Sequence, residues 1–442
     1  MYRSGRSVTG YNMATPLKGR IRVPSDKSIS HRVALFSAIA EGTSTVAGLL
    51  DSLDVRSTLS IVESLGAKVE LDEAPDGTGL AGTITGWGVT GPVPQGDPCY
   101  LQCGNSGTTA RLLLGLLSGY RIDVTLVGDE SLSKRPMARV TGPLSRMGAR
   151  FEPATQLPIV LSGSDALKAL TYESPVASAQ VKSAILLAGL NAEGITTVSE
   201  PHKSRDHTEL LLPAYGVEVE VDGLNASIAG GQSLHAFDCR VPADPSSAAF
   251  LLVAAAMIPG SEVTVEEVLI NPTRTGFLKV MQRFGADIVI ESNAGRRLGA
   301  ESCGDITVRY RQNLKATRIT ADEIATLIDE VPILALLAAF AEGETVFEQV
   351  GELRVKESDR LAAIMTGLSA LGYEAWESDD DLHIVGGTAQ PKSTVFETHG
   401  DHRLAMTWTI AERAFDLKLE IQDAQCVAVS YPGFFDDLVR LS

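Results

Sequence analysis

The chain has 442 residues, 44% of them hydrophobic, and carries a formal net charge of -17. That is enough material for large cores and roughly two to four domains. So acidic a balance argues against a nucleic-acid binder, which needs basic charge to displace counterions from phosphates. It leaves anionic small ligands open, because nearby cations in a pocket outweigh distant, screened surface charge. Cys99, Cys103, Cys239, Cys303 and Cys426 show neither Cys-x-x-Cys nor zinc spacing. They read as reduced thiols of a cytoplasmic protein. No stretch approaches the roughly 20 apolar residues that span a bilayer. The longest apolar runs, 250–258 and 333–341, suit buried helices.

The first 20 residues are basic but lack an apolar core segment, so they read as a short extension rather than a secretory signal. From there the chain repeats itself. Small polar residues open an apolar, helix-like run six times: at Ser25 (SDKSISHRVALFSAIAEG), Gly104 (GNSGTTARLLLGLLSG), Ser178 (SAQVKSAILLAGL), Asp244 (DPSSAAFLLVAAAMI), Asp329 (DEVPILALLAAFAEG) and Gly400 (GDHRLAMTWTIAERA). Gly followed by a Thr/Val-rich strand recurs at 42–46, 194–198, 260–265 and 343–346. A second, amphipathic helix follows in each of five repeats, stopped by Gly66, Gly148, Gly216, Gly285 or Gly372. The first helix of each repeat is apolar nearly all round and is expected to be buried. An α/β protein of two domains with three repeats each follows. Residues 1–24 plus 242–442 form one domain, 25–241 are inserted, and Pro24 and Pro242 flank the crossings.

Chemistry is expected where the helices open, since a helix N-terminus offers unpaired N–H groups and a positive dipole end to phosphate. Lys27, Ser28 and Arg32 offer a point charge, a hydroxyl and a planar fork. Gly104–Arg111 is a Gly-rich turn without the Lys-Ser/Thr of a P-loop. Arg135-Pro136-Met137 follows a short polar run. Ser178, Ala179, Gln180 and Lys182 open the next helix, and Asp329-Glu330 place two carboxylates before a buried one. In RVKESDR, Lys356 and Arg360 are four apart, which predicts one helix face with Glu357 beside them. Asp401-His402-Arg403 closes the series. Taken singly, each has an ordinary structural reading as a cap, a tight turn or a solvated charge run.

In order and spacing, the segments KSxSxR, GNSGTTxR, RPM, SAQVKS, Asp-Glu, RVKESDR and DHR resemble the enolpyruvyl transferases. The likeness is to the shikimate-pathway 3-phosphoshikimate 1-carboxyvinyltransferases of the bacterial class II type, from about Gly19 to Leu438. The resemblance implies two domains of three βαβαββ units closing on substrate. It implies enolpyruvyl transfer from phosphoenolpyruvate to the 5-hydroxyl of shikimate 3-phosphate by addition and elimination. Shikimate 3-phosphate is expected on Lys27, Ser28, Arg32, Ser178, Ala179, Gln180, Arg205, Asp329 and Lys356. Phosphoenolpyruvate is expected on Lys27, Gly107, Arg135, Gln180, Arg360 and Arg403. Asp329 is the expected base and Glu357 the acid, with Lys27 also placed to move protons.

No metal or organic cofactor, no nucleic acid and no membrane partner is expected, and the expected state is a monomer. Three positions depart from the better-known branch: Ala179 replaces a serine, Glu352 an asparagine, and Val429 a phosphoenolpyruvate-binding lysine. Gly107 implies sensitivity to glyphosate. The UDP-N-acetylglucosamine enolpyruvyl transferases share the fold, but their loop before the RP motif carries a cysteine, which VGDESLSKRPM lacks. A non-catalytic repeat protein would scatter Asp329, Lys356 and Glu357 over separate surfaces.

Overall fold

The computed structural model describes residues 15–75, 77–96, 98–387 and 391–442, and of 294–297 the backbone only. The reading of the N-terminal extension therefore falls mostly outside the described residues. The chain divides into two compact units. One comprises residues 15–24, 243–293 and 304–442; the other comprises 25–242 and 294–303. The excursion 294–303 has no signal in the sequence. It is the end of a hairpin (strands Asp287–Leu298 and Glu301–Arg309), where Glu301 Oε1 lies 2.6 Å from His207 Nδ1 and both side chains are buried.

One plan is repeated. In the 25–242 unit, three four-stranded sheets run in the same order: first strand parallel to the second, then two antiparallel neighbours. Tyr100–Gln102, Asp123–Val127, Ile159–Ser162 and Arg150–Glu152 make one. Thr171–Glu173, Ile195–Ser199, Asn225–Ala229 and Val219–Asp222 make another. In the third, Cys239–Arg240 from the far end of the insertion pairs parallel with Thr43–Leu49, so the first repeat is completed by the last strand. The other unit closes the same way, with Lys18–Ile21 pairing parallel to Glu262–Leu269. Its last repeat has only the two short strands Val395–Phe396 and Glu420–Ile421 among the described residues.

The six apolar runs are helices: Lys27–Ile39, Gly107–Ser118, Ala179–Gly189, Pro245–Met257, Val331–Phe340 and His402–Ala414. All thirteen residues of Pro245–Met257 are buried, as an all-round apolar helix requires. Four of the six are capped by the side chain before them: Asp26 accepts from Ile29 N, Ser106 from Thr109 N, Asp244 from Ser246 N and Asp401 from Arg403 N. Ser178 and Glu330 make no such cap bond. The helices cross closely. At Gly115 an added Cβ would stand 2.2 Å from the Ala184 carbonyl oxygen, so only glycine allows the Gly107–Ser118 and Ala179–Gly189 backbones to meet.

Two expected elements differ. HTELLLPAYG is not one helix: His207–Leu211 gives way to a 3-10 turn, Leu212–Tyr215, because Pro213 has no N–H for the α pattern. RVKESDR is not a continuous helix either. Gly351–Val355 is a 3-10 turn, and the helix Arg360–Ala370 starts only after Asp359, whose carboxylate caps Ala362 N at 3.0 Å. Lys356 and Arg360 therefore do not share a helix face.

Candidate active site

In the 25–242 unit the helix openings carry cations. Lys27 Nζ lies 3.1 Å from Asp54 Oδ2, with a fifth of its side chain exposed. Arg32 is buried: Nε donates to Thr208 Oγ1 (2.8 Å), Nη1 to the Ser28 carbonyl (3.1 Å) and Nη2 to Ser183 Oγ (2.7 Å). Both terminal nitrogens keep a further N–H beyond these bonds. Burial pushes its pKa down to about 10, and the nearby Arg205 cation lowers it further while Glu209 and Asp26 oppose the shift. Two guanidinium groups that repel one another mark a place that an anion would relieve.

The next opening is tied together by a residue that was not among the expected contacts. Arg111 Nη1 donates to Gln180 Oε1 at 2.5 Å and Nη2 to the Pro136 carbonyl at 3.4 Å, while Gln180 Nε2 donates to Thr108 Oγ1 at 3.0 Å. Arg135 Nη2 donates to Asn105 Oδ1 (2.6 Å) and Ser131 Oγ (3.3 Å), and its buried Nε has no hydrogen-bond partner among the described residues. A Cβ on Gly107 would lie 3.2 Å from Arg111 Nη1 and 3.5 Å from Arg135 Nη1. Gly107, Gln180, Arg111 and Arg135 thus form one group. In these contacts Arg32, Arg111 and Arg135 bond neutral oxygens, which leaves their charge for a ligand. The Ser178 opening adds half-buried backbone at Ala179 and Gln180 with no side-chain cap in the way.

The other unit carries the carboxylates. Arg360, 1% exposed, donates Nε to Asp401 Oδ2 (2.7 Å), Nη1 to Asp329 Oδ1 (3.2 Å) and Nη2 to Glu357 Oε2 (2.6 Å). Burial disfavours its cation, but Asp401, Glu357 and Asp329 outweigh that and hold its pKa well above the ordinary range. Lys356 Nζ is 3.6 Å from Asp329 Oδ1, and Arg403 Nη2 is 3.9 Å from Asp329 Oδ2. Arg403 Nη1 donates to the Asp329 carbonyl at 3.2 Å and lies 3.9 Å from Glu330 Oε1. Glu330 in turn accepts from Ser246 Oγ, which also accepts from Arg274 Nη2 at 3.0 Å. The openings of all three buried helices of this unit therefore meet at one end. Asp329, Lys356, Glu357, Arg360 and Arg403 form a single cluster, which counts against the scattered arrangement of a non-catalytic repeat protein.

Sequence reasoning missed Arg111, Asp401 and Arg274. Each stood in or beside a quoted motif, but its importance lies in partners 31 to 69 residues away, such as Asp401 with Arg360 and Arg111 with Gln180. Glu352 is exposed, and Val429 ends the 3-10 turn Ala424–Val429. No group of His, Cys, Asp and Glu with the makings of a metal site occurs among the described residues. The five cysteines are unpaired, and burial pushes Cys103 up to about 12, which makes its thiolate scarce.

An α/β repeat fold whose helix openings present arginines, lysines and paired carboxylates defines a transferase class that handles several anionic groups at once. The family model for EPSP synthase (3-phosphoshikimate 1-carboxyvinyltransferase) matches residues 11–438, and the chain belongs to that family. The 3-phosphoshikimate 1-carboxyvinyltransferase of Xanthomonas campestris pv. campestris (strain B100) is 49% identical over 422 residues, covering 95% of this chain and 94% of that protein. The enzyme of the same name from Xanthomonas euvesicatoria pv. vesicatoria is 47% identical, covering 95% and 93%. The solved EPSP synthase of Acinetobacter baumannii superposes with a TM-score of 0.83 at 40% identity, covering 97% of this chain and 96% of that one.

Proposed function

We propose that this chain transfers the enolpyruvyl group of phosphoenolpyruvate to the 5-hydroxyl of shikimate 3-phosphate and releases inorganic phosphate. The observation that carries the proposed roles is the division of charge. Lys27, Arg32, Arg111 and Arg135 stand at helix openings in one unit, while Asp329 and Glu357 share Arg360 in the other. The two substrates bring two phosphates, each about -1.5 to -2, and two carboxylates. Such a load demands several arginines and lysines.

In this reading, Ala179 N–H, Gln180, Ser178 and Arg205 hold the phosphate of shikimate 3-phosphate. Lys27, Ser28 and Arg32 hold its ring and carboxylate, and Asp329 and Lys356 its hydroxyls. Lys27, Gly107, Arg135, Gln180, Arg360 and Arg403 hold phosphoenolpyruvate. Asp329 takes the 5-hydroxyl proton as that oxygen bonds to C2, while Glu357 delivers a proton to C3, turning the methylene into a methyl. The adduct then loses a C3 proton, the C2–O bond to phosphate breaks, and the vinyl group is restored. Lys27 serves proton movement beside the carboxylates. The protein acts as a cytoplasmic monomer in this reading, and no helix among the described residues is long and apolar enough to cross a membrane.

Purified protein given both substrates is expected to release phosphate. Asp329→Ala and Glu357→Ala are each expected to lose about 100-fold or more of that rate, the usual size of a general acid–base contribution, with circular dichroism unchanged. Full turnover in both variants would reject these roles.

A further inference from the structure

Beneath the cationic face of the 25–242 unit lies a buried charge cluster that no step of the reaction uses. Lys182 Nζ sits 2.6 Å from Glu200 Oε2 and 2.7 Å from Glu209 Oε1, with all three side chains at most 4% exposed. Glu200 reaches further: its Oε1 accepts from Ser204 Oγ, and its Oε2 lies 3.4 Å from Ser204 N. Ser204 is itself buried, at 4%. The next residue is Arg205.

The connectivity gives the cluster its meaning. Lys182 belongs to the helix Ala179–Gly189, one turn below the Ser178–Gln180 opening. Glu200 and Ser204 bracket the segment that ends at Arg205, and Glu209 belongs to the helix His207–Leu211 just after it. One ammonium thus joins the helix opening to the loop that presents Arg205. Taking three charges out of water is costly unless each is paired and hydrogen-bonded. An apolar contact would tie the same segments without that penalty, whereas an ion pair fixes them in one register.

We infer that Lys182, Glu200 and Ser204 are positioning residues that hold Arg205 against the Ser178–Gln180 opening, so that the two grip one phosphate of the sugar-acid substrate. This rests on the reaction proposed above. The cluster touches no substrate and acts through Arg205.

Ser204→Ala removes the pin on the loop without changing any charge, and Glu200→Gln keeps the shape but weakens the pull of Lys182. Both are expected to raise KM for shikimate 3-phosphate about tenfold, the effect of one charge-assisted hydrogen bond held less well. The KM for phosphoenolpyruvate and kcat should stay within about twofold. In an Arg205→Ala background, Ser204→Ala should add nothing, because the residue it positions is gone. A wild-type enzyme that turns over, with variants that lose thermal stability but keep the shikimate 3-phosphate KM, would overturn the inference. So would full additivity of Ser204→Ala with Arg205→Ala. If the wild type releases no phosphate from the two substrates, it is the proposed reaction that fails. Should Glu200→Gln not fold, the Ser204→Ala series decides alone.

Discussion

Gly107 faces two guanidinium ends, Arg111 Nη1 and Arg135 Nη1. A methyl there meets the far ends of flexible side chains rather than backbone, so Gly107→Ala is expected to fold normally. It should push Arg111 and Arg135 aside by a few tenths of an ångström, raising KM for phosphoenolpyruvate more than that for shikimate 3-phosphate. Steady-state kinetics with each substrate varied in turn checks this. Arg360 poses the opposite case. It is buried against the fully buried Asp401, whose carboxyl is held below its usual range by Arg360 despite burial. Arg360→Gln strands that carboxylate, and breaking a buried pair from one side costs about 3–5 kcal/mol. Urea denaturation should show a loss of that size in addition to the loss of activity.

Each pairing of a buried helix with its neighbour sets where the openings fall. Gly115 lets the Gly107–Ser118 helix lie against Ala184, which places Arg111 within reach of Gln180. Gly115→Ala cannot be absorbed by a side-chain shift, because the Cβ would meet backbone at 2.2 Å. Overpacking of this kind costs typically about 1–3 kcal/mol, occasionally more. The expected outcome is a lower denaturation midpoint together with weaker binding of both substrates, read by titration calorimetry. The helix starting at Arg360 shows how an element boundary serves the cluster. Asp359 ends the preceding turn, so Lys356 and Glu357 lie on irregular backbone and reach Asp329 and Arg360 from there.

Six repeats of one plan build the molecule, and burial of their first helices governs its response to acid. His31 in the Lys27–Ile39 helix is fully buried, with Nδ1 2.8 Å from Thr58 Oγ1. Burial lowers its pKa to about 3; Asp54 pulls it up, and Lys27 and Arg32 push it down. The unfolded chain binds this proton below about pH 6.5, while the folded chain does not until about 3. The contribution is complete above pH 6.5 and declines toward pH 3, at most about 1.4 kcal/mol per pH unit. Denaturation at pH 7 and pH 5 should show wild type losing roughly 2 kcal/mol more than His31→Gln. Equal losses would mean that other groups carry the acid sensitivity.

The sequence by itself determined the repeats, the buried and amphipathic helices, and the helix openings at which charge gathers. These are local: the period of apolar residues, Asp or Ser caps, and glycine stops such as Gly148 and Gly216, both at positive φ. The motif order was specific enough to point to the family. Tertiary structure alone decided the rest. The Cys239–Arg240 strand completes the first repeat across the whole insertion, residues 294–303 belong with the other unit, and Arg111, Asp401 and Lys182 find partners far along the chain. Such pairings depend on which surfaces pack together. A charged side chain that looks solvated in its own helix acquires its role only when burial removes water and leaves a distant carboxylate as its partner.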